Sequence, residues 1–125
     1  TLNVGTRLPA SATSMGRVLL ADMSEHALDD FLIHCQIERF TQYTLTDKVA
    51  LKAEIAMVQA QGYSMVEQEL EIGLTSISVP VHNGSGEVIA ALNVSTHMSQ
   101  TARQQILEEI LPALQQCAQE VERLG

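Results

Sequence analysis

The stretch Leu74 to Ser95, LTSISVPVHNGSGEVIAALNVS, constrains the fold more than any other part of the chain. Two apolar runs flank Asn83-Gly84-Ser85-Gly86, the turn chemistry that joins antiparallel strands in a hairpin. A two-residue loop (Gly84, Ser85) and a four-residue loop (Asn83 to Gly86) both place His82 opposite Glu87. Pro80 then falls beside Ile89, Ser78 beside Ala91 and Ser76 beside Asn93. Side chains alternate with period two, so the hairpin separates into two faces. One carries Ile77, Val79, Val81, Val88, Ala90, Leu92 and Val94 and is expected to be core. The other carries Ser76, Ser78, Pro80, Ile89, Ala91, Asn93 and Ser95. A solvated face would be rich in Lys, Glu or Arg. Small hydroxyls and an amide fit either a shallow cavity floor or a face covered by a helix.

The rest of the chain supplies helices to pack on this hairpin. Leu2 and Val4 read as the end of a strand stopped by Gly5, with nothing upstream to pair it. This suggests a domain whose earlier strands lie before Thr1. After Leu8-Pro9, SATSMGRVLLA is expected to be helical, capped by Ser11 or Thr13, with Met15, Val18, Leu19 and Leu20 buried. Gly16 inside the first turns costs helix stability and needs a reason, such as close approach of backbone or ligand. Ser24 caps a second helix with Leu28, Phe31, Leu32 and Cys35 at helical spacing. Thr46 is expected to cap a third, Asp47 to Gln61, buried through Val49, Ala53, Ala56 or Met57, and Ala60, and stopped by Gly62.

Tyr63 to Ile72 alternates as a strand, with Val66, Gln68, Leu70 and Ile72 on one face and a solvated row of Glu67, Glu69 and Glu71 on the other. Gly73 ends it. Ser99 opens a last helix to about Leu124, with Ile106, Ile110, Leu114, Cys117, Val121 and Leu124 as a stripe and Pro112 bending it. The fold class is therefore α+β: an antiparallel sheet with helices on one face and a concave site on the other.

The chemistry is that of binding. In 125 residues, 7 Lys and Arg oppose 15 Asp and Glu, for a formal charge of −8, which argues against direct contact with nucleic acid. No apolar run reaches the length of a membrane span, and a cytoplasmic location is the default. Cys35 and Cys117 read as buried free thiols. His26, His34, His82 and His97 sit in separate elements at no metal-ligand spacing, and no cofactor motif is present. The helix start Thr13-Ser14-Met15-Gly16-Arg17 offers free backbone N–H groups and a Ser14 hydroxyl, a seat for a carboxylate. Arg17 reads as a solvated cation or as the partner of an anion. Set against Ser76, Asn93 and Ser95, this helix start defines a pocket for a small organic acid.

LPASATSMGRVLLA (8–21), GYSMVEQELEIGLTSISVPV (62–81), GEVIAALNVS (86–95) and the ILPALQQCAQEV pattern of the last helix resemble, in order, the effector-binding domain of the IclR family of bacterial transcriptional regulators. The TSMGR form of the helix start is similar to the branch governing aromatic-acid catabolism, responsive to protocatechuate or hydroxybenzoate. The resemblance implies a GAF-like antiparallel sheet flanked by helices, here lacking its first strands. It also implies that residues 1–125 are an N-terminally truncated ligand-sensing domain, without the winged helix-turn-helix through which the full protein would touch DNA. By the same resemblance the effector contacts Leu8, Ser14, Met15, Val66, Leu74, Ser76, Asn93 and Ser95, and the domain forms homodimers or homotetramers. Some relatives carry an acidic residue at the position of Val66 and a serine at that of Asn93. The expected function is effector binding and oligomerisation without catalysis. The alternatives are a structural oligomerisation domain with no working pocket and an enzyme on a GAF-like fold, the latter lacking any nucleophile–base pair.

Overall fold

The computed structural model describes residues 9–125; Leu8 and the strand expected at Leu2 to Val4 lie outside them. Among the described residues three antiparallel strands form one sheet in the order β1 (Ser64–Glu67), β2 (Leu74–His82), β3 (Val88–His97). The hairpin closes through Asn83, whose backbone N–H donates to the Glu87 carbonyl at 2.8 Å and whose Oδ1 accepts from the N–H groups of Ser85 and Glu87.

Its register differs from the expected one. His82 faces Val88, Val81 faces Ala90, and the irregularity between them leaves Ile89 as a bulge residue, 63% exposed. Ser76 therefore pairs with Ser95 and Ser78 with Asn93. The displacement is an even number of residues, so the two faces survive although every cross-strand partner changes. Val88 is the exception: opposite His82, it leaves the apolar face and lines a cleft with Val18, Ala21 and Pro80.

Helices cover both faces, where one covered face was expected. The apolar face, Ile77, Val79 and Val81 with half-buried Leu92 and Val94, packs on α5 (Leu111–Glu122) and the turn before it. The small-residue face receives α1 (Ser14–Ala21). Behind α1, α2 (Glu25–His34) and α3 (Lys48–Gln61) complete a second core of Leu20, Leu28, Leu32, Leu51 and Ile55. In α3 two apolar stripes compete. Leu51, Ile55 and Val58 are buried, while Val49 is 80% exposed and Ala53, Met57 and Ala60 also face outward. The larger side chains remove more apolar area from water than the alanine stripe, so they take the inside. The cap also falls one residue later than expected, on Asp47, which accepts from the Val49 N–H; Gly62, at φ +82°, ends the helix as expected.

The C-terminal helix begins later than Ser99 and changes pitch. A single α-turn, α4 (Arg103–Gln105), leads into a π-helical segment, Ile106–Ile110, and then α5. The Leu111 N–H bonds the Ile106 carbonyl, five residues back, just before Pro112, which has no N–H to give. The wider turn accommodates the proline and advances the buried stripe by one residue. The core side is thus Ile106, Leu111, Leu114 and Ala118, whereas Cys117, Val121 and Leu124 of the expected stripe are exposed. Both cysteines are free thiols, as expected, but Cys35 is only half-buried and Cys117 is exposed. At the helix end Glu122 accepts from the backbone N–H of His82 at 2.7 Å and approaches its ring Nδ1 at 3.0 Å. These two hydrogen bonds, the backbone one foremost, hold the Glu122 carboxyl below the ordinary carboxylate range.

Two contacts fix α1. Thr13 caps it, its hydroxyl accepting from the Gly16 N–H at 3.1 Å. A Cβ on Gly16 would lie 2.3 Å from the carbonyl oxygen of Ala10 in the preceding 3-10 turn (Ala10–Ala12), so close backbone packing is what requires glycine. Arg17, which the sequence left as a solvated cation or the partner of an anion, is 1% exposed and paired. Its Nε donates to the Ser11 carbonyl at 2.9 Å, and its Nη1 and Nη2 donate to both carboxylate oxygens of Glu69 at 2.9 and 2.7 Å. Arg17 displaces Leu19, 46% exposed, from the buried side. Glu69 is not part of a solvated strand face, because β1 stops at Glu67 and Gln68 turns the chain with φ +59°. The Leu45 N–H donates to Glu69 Oε1 and the Thr44 hydroxyl to the Glu69 carbonyl, which ties the linker before α3 to the same point.

Glu69→Gln leaves the buried guanidinium without its counter-charge and should cost about 3–5 kcal/mol in urea unfolding. Arg17→Met, which removes the more deeply buried charge and leaves Glu69 partly in solvent, should cost less; the reverse order would show that the pair does not anchor α1. Gly16→Ala should cost roughly 1–3 kcal/mol by the same assay, as an overpacking change against backbone that has nowhere to move.

Candidate functional site

The alternation of β1, β2 and β3 builds a floor in rows across the small-residue face. Ser64, Ser78 and Asn93 form one row; Val66, Ser76 and Ser95 form the next; Leu74 and His97 form a third. The first turn of α1 sits on the first row. Ser14 Oγ lies 2.8 Å from Ser78 Oγ and 2.8 Å from Asn93 Oδ1, and Ser78 Oγ lies 2.8 Å from the same Oδ1. On its other side Asn93 Nδ2 is 3.1 Å from Ser95 Oγ. The helix start and the hairpin are therefore in direct contact.

This contact divides the expected site. Ser14 and Ser78, with 1% and 0% exposure, are closed off and bonded to one another; here the small face is the surface beneath a helix. Beyond them the floor opens. Asn93, Ser76 and Leu74 are half-buried, Ser95 is exposed, and Met15 stands half-buried on α1. Val66 is buried, beside Ser76, and supplies an apolar wall. Contacts and register thus join Ser14, Val66, Leu74, Ser76, Asn93 and Ser95 on one face of the sheet, Met15 lies in the first turn of α1, and Leu8 lies outside the described residues. The free helix-start amides are fewer than expected, because Thr13 takes that of Gly16.

Three residues of the site were missed. Ser78 was on the right face but assigned opposite Ala91; the bulge at Ile89 brings it to Asn93 instead. Ser64 Oγ is buried with no hydrogen-bond partner, in the row of Ser78. Its signal was the period of β1, which puts it in step with Val66. His97 continues the alternation of Asn93 and Ser95 and closes the far end. Its ring lies over Gly73, where a Cβ would meet Nε2 at 2.7 Å, and its Nδ1 is 2.9 Å from Ser99 Oγ. Gly73 thus needs both its positive φ of +84° and its missing side chain.

No group of three or more His, Cys, Asp or Glu among the described residues could hold a metal ion, and no helix among them is long and apolar enough to cross a membrane. The cleft lined by Val18, Ala21, Pro80 and Val88 lies toward the other end of α1, near the hairpin turn, and carries no constellation of this kind.

Comparison with known proteins places this geometry. The chain is 49% identical over 113 residues to the Pca regulon regulatory protein of Pseudomonas putida, covering 90% of this chain and 39% of that protein. It is 34% identical over 123 residues to the p-hydroxybenzoate hydroxylase transcriptional activator of Acinetobacter baylyi, covering 98% of this chain and 45% of that one. Its fold matches the inducer-binding domain of a PobR transcription factor double mutant from Acinetobacter, crystallised with 3-hydroxybenzoic acid. There the TM-score is 0.93 at 34% identity, over 97% of this chain and 69% of that one. The chain spans less than half the length of these curated relatives, which are regulators rather than enzymes. The family model for the bacterial transcriptional regulator IclR C-terminal domain matches residues 1–123, and the chain belongs to that family.

Proposed function

We propose that this domain senses a small hydroxylated aromatic acid, bound between the first turn of α1 and the open end of the sheet floor. The observation that carries this reading is the Ser76–Asn93–Ser95 patch. It is left half-open beside a helix start, with Val66 and Leu74 on the same face, and Met15 and Leu8 complete the expected contact set. Such a site combines apolar burial with a few placed polar groups, the pattern of small-molecule pockets. A ring presents flat apolar faces to Met15 and Leu74 and polar edges to the hydroxyls and the amide. Ser14 has a positioning role, since its hydroxyl is committed to Ser78 and Asn93. The relatives named for the Pca regulon and for p-hydroxybenzoate hydroxylase, and the solved domain holding 3-hydroxybenzoic acid, support the choice of ligand class.

In the longer cytoplasmic protein, effector binding would bias the geometry of a homodimer or homotetramer whose separate N-terminal domains contact DNA. The acidic balance of this chain, −8, agrees with leaving DNA contact to another domain. Calorimetry on the full-length protein with protocatechuate, 4-hydroxybenzoate and 3-hydroxybenzoate tests the reading. At least one should bind, and Ser76→Val should weaken it about tenfold, the worth of one hydrogen bond to a charged or strongly polar partner. Binding of all three unaffected by Ser76→Val and Ser95→Val would place the ligand elsewhere. Absence of binding by any of them would favour a purely structural oligomerisation domain, in which case apolar-to-charged changes at exposed Val121 or Leu124 would be the ones that alter assembly.

A further inference from the structure

Three helices finish at the end of the molecule that carries the hairpin turn. Asp22, the C-cap of α1, and Gln59 and Gly62 at the end of α3 line one cleft. Gln119 and Glu122 at the end of α5 line a second, which adjoins the first across Gly62, Pro80 and His82. A helix C-terminus carries about half a negative charge, which a basic residue in the last turn commonly offsets. None of these three helices has a basic residue in its last turn. Acidic residues stand there instead, Asp22 on α1 and Glu122 on α5, each set against the dipole of its own helix. No Lys or Arg lines either cleft; Arg123 follows Glu122 but is not among the lining residues. His82 is the one lining group that can become a cation, and its Nδ1 already lies 3.0 Å from Glu122 Oε2.

The first cleft is a shaped cavity as well as a negative one. It has a volume of about 160 Å³ and walls from α1, α3, β2 and β3. Buried Val18 and Val58 and half-buried Pro80 give it an apolar lining. Val88 joins them only because the bulge at Ile89 takes it off the apolar face of the hairpin. Bulges recur beside functional sites because they re-aim a side chain in this way. The same segment turns the Val88 N–H toward Asp22 Oδ2, at 3.1 Å, which holds the carboxylate at the cleft. A carboxylate has room for several donors, so one backbone N–H leaves it able to take more.

We propose that this cleft is a second ligand site, for a short aliphatic ammonium ion. The ammonium group donates to Asp22 within the negative field of the α1 and α3 ends, and the alkyl chain lies on Val18, Val58, Pro80 and Val88. Both halves of such a ligand are needed. A neutral alcohol of the same length gains the apolar contact without the charge, and a carboxylate of that length is repelled. A quaternary ammonium ion carries the charge but has no N–H to give. The inference does not depend on the aromatic-acid reading, whose site lies at the opposite end of α1.

Calorimetry on the full-length protein at matched ionic strength tests it with n-butylammonium, 1-butanol, butyrate and tetramethylammonium. Butylammonium should bind saturably in the millimolar range or below, and about tenfold or more tightly than each of the other three, the worth of a hydrogen bond between charged groups. Asp22→Asn keeps a side-chain oxygen for the Val88 N–H and should remove most of that preference. Gln59→Lys, at an exposed helix position, brings a competing ammonium group to the cleft and should weaken butylammonium as well. If Asp22→Asn does not fold, Gln59→Lys carries the test alone. Butanol binding as tightly as butylammonium would show a merely apolar cleft, and equal binding of tetramethylammonium would show diffuse attraction to an acidic surface. Either result overturns the proposal, as does the absence of saturable heat or an affinity that neither variant changes. None of these outcomes bears on whether a benzoate binds at the other end of α1.

Discussion

A charge that has been taken out of water must be answered inside the protein, and Arg17 is answered from three separate segments. The 3-10 turn gives it the Ser11 carbonyl, the stretch after β1 gives it the Glu69 carboxylate, and the linker before α3 holds Glu69 in place through Leu45 and Thr44. With Arg17 fully buried and the Glu69 side chain 13% exposed, this pair stabilises less by its attraction than it penalises any arrangement that separates them. The bidentate geometry accepts one orientation of α1 about its axis. That orientation puts Ser14 on Ser78 and Asn93, and so determines which part of the polar floor is sealed and which remains open. Position of the helix, not the identity of the floor residues, decides which part of the floor is covered.

The faces of the hairpin were legible because period two is insensitive to an even shift: Ile77, Val79 and Val81 had to be core whichever partner lay opposite. The partners were not legible. A bulge at Ile89 adds one residue to one strand, and no local feature of GEVIAAL distinguishes a bulged pairing from a straight one. The helical faces failed for a related reason. In α3 every turn offers an apolar residue on two sides, so the periodicity has two solutions and only tertiary packing chooses Leu51, Ile55 and Val58. In the last helix the stripe was read at constant pitch, whereas Pro112 enforces a π turn that moves the core from Ile110 to Leu111.

Charged residues were read worst. Glu67, Glu69 and Glu71 look alike on an alternating strand, yet only Glu69 closes on a buried cation. Gln68 adopts a left-handed φ and ends the strand before Glu69 is reached. Nothing in the order Val66-Glu67-Gln68-Glu69 announces that break, since glycine, the residue that would advertise it, stands later at Gly73. A buried arginine is equally silent, because its partner is 52 positions away in sequence. By contrast the face that carries Ser76, Asn93 and Ser95 was legible, since membership of a strand face depends on alternation alone.

The same contacts tie the open end of the floor to the ion pair. Ser76 and Val66 are cross-strand neighbours, and two residues past Val66 the chain turns at Gln68 into Glu69. The Gln68 N–H donates to the Leu74 carbonyl, and the Gln68 side chain accepts from the Gly73 N–H, so the floor at Leu74 and the turn carrying Glu69 are one hydrogen-bonded unit. The unit cannot shift without moving Glu69, and Glu69 cannot shift without Arg17, because the guanidinium has no other anion to turn to among the described residues. The ion pair thus joins the floor at Leu74 to α1 through Arg17 and to the linker before α3 through Thr44 and Leu45.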